Sequence, residues 1–223
     1  MTTSYIFLAG ASRGVGREIA KCLSAEQLQV RALLRTEATR TELEAMRIEV
    51  VLGDALDFNT VESAMQGNIS AVISTIGGLP KDGQRADYLG NKNLIDAAVK
   101  AGVQKFILVS SIGSGDSAQA LPPQAMATLA PVLAEKEKAE QHLIHSGLAY
   151  TIIRPGGLKS EPTTGNGILT EDPRVAGTIH RADVAQLVCR CLHSDKANNK
   201  IFSAVDRYMM YGQPDFVEFH LDN

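Results

Sequence analysis

The sequence contains no tryptophan, and aromatic residues make up only 5% of its 223 positions. A row of aromatic platforms for unstacked bases is therefore missing. Basic residues are not in excess either: 22 lysines and arginines stand against 25 acids, a formal net charge of -3. A general grip on nucleic acid needs a basic face that displaces counterions, so no nucleic-acid partner is expected. Cysteine occurs only at Cys22, Cys189 and Cys191, with no CxxC pair and no His/Cys spacing of a zinc finger. This excludes a disulfide framework, predicts no metal site, and fits reduced thiols in a cytoplasmic protein. The N-terminal MTTSYIFLAG lacks the basic segment of a signal peptide, and no apolar run nears the ~20 residues that span a bilayer. A soluble protein with no membrane partner is expected.

What is present is ordinary globular material, 44% hydrophobic, long enough to bury a core without staples. Short apolar runs rich in β-branched residues read as strands over 5–9, 29–34, 48–52, 71–75, 105–110, 150–154 and 201–204. Helical patterns fall between them at 15–24, 60–65, 90–101, 134–146 and 182–192. Continuously apolar strands are those buried on both faces, as in a parallel sheet covered by helices. Their alternation with helices predicts a single α/β Rossmann-fold domain over 1–223, a doubly wound parallel β-sheet with helices on both faces. Ligands of such folds bind beyond the carboxyl ends of the strands. Two stretches, 112–130 and 156–179, carry glycine, proline and small residues and are expected to be lid or binding loops. The tail 208–223 is apolar enough to dock on the body or on a partner, and a monomer or weak homo-oligomer is expected.

The segment that carries chemistry is Gly10-Ala11-Ser12-Arg13-Gly14-Val15-Gly16, which ends the first strand and opens the first helix. Gly10 permits a sharp turn, Gly14 a close backbone approach to a diphosphate, and Gly16 tight helix–strand packing. Free N–H groups at the positive helix end then hold the phosphates. The spacing is GxxxGxG rather than the GxGxxG of many dehydrogenases, and its strand–turn–helix context sets it apart from a merely glycine-rich turn. Enzymes that bind NAD place an acid about 20 residues after this turn, on the ribose 2′-hydroxyl. Here the second strand ends Leu33-Leu34-Arg35-Thr36, with no acid. The Arg35 fork suits a 2′-phosphate, and Arg13 and Arg40 are placed to add positive charge, so NADP(H) is the expected cofactor. Arg40 equally fits a solvated helix face.

Further motifs follow in order: Gly53-Asp54-Ala55, Thr75-Ile76-Gly77-Gly78, GNKNLIDAAVKA from Gly90, FILVSS ending at Ser110 and Ser111, Lys136 to Glu140 with SGLAYTIIRPGGL beyond it, and HRADVA from His180. Together they resemble the atypical short-chain dehydrogenase/reductase family over about 5–192, above all its small flavin reductases, biliverdin-IXβ reductases and NmrA-like members. The resemblance implies that Asp54 and Ala55 lie by the adenine, and Thr75, Ile76 and Gly77 by the adenosine ribose. It also implies that Pro155, Gly156, Gly157 and Leu158 pass beside the nicotinamide. One departure is informative. Relatives that reduce ketones use YxxxK, whereas Val132 stands where the tyrosine precedes Lys136. The resemblance therefore implies hydride transfer from NADPH to a flavin or linear tetrapyrrole. Such a centre is already electrophilic, and the site has mainly to orient it and exclude water. Ser111 and Lys136 are the candidate catalytic residues, with Ser110 competing for the serine role. Lys136 on the face AEKEKAE reads equally as a solvated lysine. The five histidines are scattered and form no catalytic set. Two other readings remain open: a non-catalytic NADP(H)-sensing or assembly factor, and an enzyme of small carbonyl or sugar-nucleotide substrates.

Overall fold

The apolar runs form strands wherever consecutive side chains are buried on opposite sides. The computed structural model describes residues 4–78, 85–212 and 215–221. It contains β1 (Tyr5–Ala9), α1 (Gly14–Ala25), β2 (Val30–Leu34), α2 (Arg40–Ala45), β3 (Glu49–Leu52), α3 (Phe58–Ala64) and β4 (Ile69–Ser74). These are followed by α4 (Leu89–Lys100), β5 (Lys105–Val109), α5 (Pro123–Ile144) and β6 (Ala149–Pro155). The chain then forms β7 (Gly157–Lys159), β8 (Gly167–Thr170), β9 (Thr178–His180), α6 (Arg181–Leu192) and β10 (Lys200–Asp206).

Eight strands make one sheet in the order β3-β2-β1-β4-β5-β6-β10-β8, and β7 pairs with β9 apart from it. Neighbours Phe7 and Leu8 of β1 point to opposite faces, and both are fully buried. Leu8 packs with Ile19 and Leu23 of α1, Val184 and Val188 of α6, and Phe202. Phe7 packs with Leu94 and Ile95 of α4, Phe106, and Leu143 of α5. Each such side chain contributes about 1.5–3 kcal/mol through burial, so the sheet is a firm base for its loops. The chain runs outward from β1 to β2 and β3, then returns to place β4 on the other side of β1. The loops after β1 and β4 diverge at that reversal and open a crevice at the carboxyl ends of the strands.

The fold departs from expectation in three places. The sheet is mostly parallel, but its edge strand β8 runs antiparallel to β10. The stretch 112–130 is no simple loop: a short 3-10 turn covers Gly115–Ala120, and α5 begins at Pro123 with Pro131 inside it. Its first turns are largely exposed, so they carry no apolar period, and proline at the first helical position needs no N–H partner. The stretch 156–179 holds β7, β8 and β9, which are too short to show a two-residue period. In the described part of the tail, the Phe219 ring centroid lies 4.7 Å from that of Phe202, and the Phe219 N–H donates to the Leu169 carbonyl at 2.7 Å. Residues 213, 214, 222 and 223 of that tail lie outside the described residues. Among the described residues, no helix is long and apolar enough to cross a membrane.

Candidate functional site

At the crevice, β1, α1 and the segment after β4 meet at backbone contact. Gly10 has φ +97°, and a Cβ there would stand 2.3 Å from Thr75 Oγ1. A Cβ on Gly16 would stand 2.1 Å from the Gly10 carbonyl oxygen. The Thr75 hydroxyl lies 3.3 Å from both the Ala9 and the Gly10 carbonyls, tying the turn to β4. Ala11, Val15 and Gly16 are buried, whereas Ser12, Arg13 and Gly14 face solvent. The cap residue of α1 is the extended Arg13, whose side chain caps nothing, and the first turn holds no acid. Its leading N–H groups thus form an unshielded positive end, while Gly14 (φ +58°) leaves its open side clear. These residues fit the diphosphate of a dinucleotide.

Arg35 lies just beyond β2, exposed, and pairs with no described residue. The Gly53 N–H donates to the Leu34 carbonyl at 2.8 Å, which holds the turn after β3 beside it. In that turn Asp54 accepts from the Leu56 N–H at 2.9 Å, and the carbonyl of buried Ala55 accepts from Asn93 Nδ2 at 2.9 Å. Of the two readings of Arg40, added charge beside Arg35 or a solvated helix face, the contacts favour the second. It pairs with Glu44 at 2.7 Å and Glu37 at 3.3 Å, and the hydrogen bond to Glu44 raises it further above the ordinary arginine range. Glu37 comes from the 3-10 turn just before α2 and Glu44 from α2 itself.

Beyond β4, Ile76 packs over Gly90 of α4, and Gly77 and Gly78 lie against Asp87 and Arg13. Asp87 is fully buried. Its Oδ1 stands 3.2 Å from Lys136 Nζ, and its Oδ2 accepts the Gly78 N–H at 3.3 Å. Asn91 Nδ2 donates to the Asp87 carbonyl at 2.7 Å, and Ser74 Oγ donates to Asn91 Oδ1 at 2.6 Å. Lys136 is therefore no solvated lysine: its side chain is 17% exposed and held against the turn after β4. Asp87 escaped the sequence reading because nothing local separates a buried acid from a surface one.

The two serines after β5 part company. Ser110 donates to Glu140, which is fully buried and bound by Arg154 Nε at 3.2 Å and Nη2 at 2.7 Å. Arg154 also binds Asp116. Burial would lower the Arg154 pKa, but the two carboxylates hold it above the ordinary value. The Ser110 hydroxyl proton is thus engaged inside the protein, and it is no free donor to a ligand. Ser111 is half-buried and donates only to the neighbouring Ile112 carbonyl, at 2.9 Å.

The backbone expected beside the nicotinamide is also largely engaged. The Pro155 carbonyl accepts from Ile112, Gly156 N–H donates to Ala204, and Gly157 N–H donates to Gly177. Leu158 stays 38% exposed, and its carbonyl accepts from Arg181 Nη1 at 3.3 Å. Arg181 was read only as part of a helix start. The fold sets its Nε 3.7 Å from where a Gly14 Cβ would stand, while Nη1 donates to Ser160 Oγ at 2.7 Å. Its guanidinium bridges the glycine turn and the segment after β7.

Residues 10–195 match the family described as NAD(P)H-binding. The chain belongs to that family. It is 33% identical to the anaerobilin reductase ChuY of Escherichia coli O157:H7, with a TM-score of 0.84 over 96% of this chain and 100% of the other. Sanguinarine reductase of Eschscholzia californica is 31% identical over 88% of this chain and 87% of its own length. A Bacillus subtilis protein named an uncharacterized sugar epimerase is 32% identical over 90% of this chain and 94% of its own. These likenesses place the chain among the NAD(P)H-dependent oxidoreductases of the atypical short-chain dehydrogenase/reductase type. In this chain the uncapped start of α1 lies at the crevice, with Arg181 across from it.

Proposed function

We propose that the protein is an NADPH-dependent reductase of an electron-poor conjugated acceptor, of the flavin or linear tetrapyrrole kind. One observation carries the acceptor reading: Lys136 is held by buried Asp87, yet the position one helical turn before it is the half-buried Val132. The side chain that protonates a carbonyl oxygen in ketone-reducing relatives has no counterpart there, so an acceptor that is already electrophilic suits the site. Two relatives named as reductases support hydride transfer. The preference for NADPH over NADH rests on Arg35, exposed at the end of β2 with no acid beside it to bind a free 2′-hydroxyl.

Bound NADPH supplies the hydride. The chain's residues bind, orient and polarise. The start of α1 and Arg181 neutralise the diphosphate, and Arg35 takes the 2′-phosphate. Lys136, held in position by Asp87, places positive charge where the acceptor gains electrons. Ser111 turns its hydroxyl from Ile112 to the nicotinamide amide or the acceptor.

A steady-state screen of NADPH and NADH against FMN, biliverdin isomers and quinones tests the reading. Acceptor-dependent loss of nicotinamide absorbance, faster with NADPH, is expected. Tight NADPH binding with no turnover on any acceptor would move the reading to a cofactor-sensing protein, and turnover of a ketone or nucleotide sugar would refute the conjugated-acceptor assignment.

A further inference from the structure

Away from the crevice, α1 and α6 lie side by side on one face of the sheet. Their first residues, Gly14 and Arg181, face each other at the glycine turn, and Cys22 and Cys189 each stand about two turns into their helix. The pairing brings the two cysteines together. Cys22 Sγ, Cys189 Sγ and a Glu26 carboxylate oxygen all lie within 4.8 Å of one another. Cys22 Sγ is 3.7 Å from Glu26 Oε1, and Glu26 Oε2 is 2.8 Å from His193 Nε2.

We propose that Cys22, Cys189 and Glu26 form a binding site for a soft divalent cation of the zinc type, with His193 steadying the carboxylate from outside. Thiolates select soft cations over magnesium and calcium, which demand shells of oxygen. Tetrahedral zinc, with bonds of about 2.3 Å to sulfur and about 2.0 Å to oxygen, sets neighbouring ligand atoms about 3.5–3.8 Å apart. The Cys22–Glu26 separation already falls there, and the cluster as a whole needs only small side-chain rotations. Cys189 is buried, Cys22 half-buried and Glu26 exposed, so the site opens to solvent on the carboxylate side. That opening gives the ion an entry path and a fourth ligand from water. The histidine–carboxylate contact is the kind that fixes a ligand's orientation. Spacing alone predicted no metal here, because only Cys22 and Glu26 are neighbours on one helix; Cys189 arrives through helix packing. The ion would fasten α1 to α6, and the site stands independently of which dinucleotide or acceptor the crevice takes.

Cobalt(II) serves as the probe, added to the reduced, metal-free full-length protein. A thiolate-to-cobalt charge-transfer band should grow, saturate at a single ion per chain and bleach when zinc is added. Zinc should also slow alkylation of Cys22 and raise the melting temperature. Cys22→Ser and Cys189→Ser should each abolish the band. Glu26→Gln alters an exposed side chain and leaves folding intact; it should weaken cobalt by at least tenfold, and His193→Ala by roughly tenfold. Absence of the band in folded wild-type protein, a band that survives Cys22→Ser, or Cys22 alkylation indifferent to zinc overturns the proposal.

Discussion

Gly14 and Gly16 stand two residues apart in one turn, and the structure predicts opposite failures when each becomes alanine. A Cβ on Gly14 would meet nothing nearer than Arg181 Nε at 3.7 Å, an ordinary contact. The cost to folding is the left-handed backbone, about 1–2 kcal/mol, partly offset by about 0.4–1 kcal/mol from a less flexible unfolded chain. A net loss of about 1 kcal/mol lowers the melting temperature by roughly 2–4 °C in a chain of this size. The new methyl would sit on the open side of the amides at the start of α1, where the diphosphate must approach. Losing one hydrogen bond to a charged group costs about 1.5–3 kcal/mol, so dinucleotide affinity should fall by roughly 10- to 100-fold. Gly16→Ala instead drives a Cβ to 2.1 Å from the Gly10 carbonyl, backbone that only moves with β1. Overpacking of that kind costs about 1–3 kcal/mol or more, so stability and binding should fall together. Calorimetric titration with NADPH alongside thermal melts separates the two. If Gly14→Ala binds NADPH as wild type does, the diphosphate does not lie on these amides.

Four other outcomes follow from named contacts. Arg35→Ala should weaken NADPH by roughly tenfold or more while leaving NADH nearly unchanged, and equal losses in a binding titration would remove the phosphate pairing. Arg181→Ala should weaken both nucleotides and expose the 157–160 segment to proteolysis; unaltered binding of both would make Arg181 a strut for that segment alone. Glu140→Ala leaves Arg154 buried and short of its main partner, at about 3–5 kcal/mol in urea unfolding, and a loss below about 1 kcal/mol would contradict the pairing. Burial pulls the Asp183 carboxyl up, but hydrogen bonds from Thr163, Thr164 and Gly165 outweigh it and hold the pKa below the usual 3.8. That stabilisation is present above the ordinary carboxylate pKa and lost as pH falls below it, so Asp183→Asn should flatten the decline in melting temperature between about pH 5 and about pH 3; parallel wild-type and variant slopes would sink the argument.

The strand runs, the glycine turn and the missing acid after β2 were legible because each is a local pattern with one physical meaning. Runs such as Tyr5–Ala9 are apolar on both faces, and only a helix-covered parallel sheet buries both. The first turns of α5 and the short strands β7 to β9 were not legible, because exposed turns and strands of three or four residues leave no period to read. Arg40 stayed open between two readings for a related reason: distance along the chain does not say which acids a helix turn brings near.

By itself, then, the sequence determined the sheet, the crevice and the class of cofactor, all set by contacts within one strand–turn–helix unit or by alternation along the chain. Only the tertiary structure decided that Asp87 holds Lys136, that Ser110 belongs to Glu140 and Ser111 does not, that Arg181 reaches Gly14, and that Cys22 meets Cys189. Each of those joins residues from different elements. Which partner a buried polar group takes depends on how helices settle on the sheet, and no local stretch of sequence contains that information.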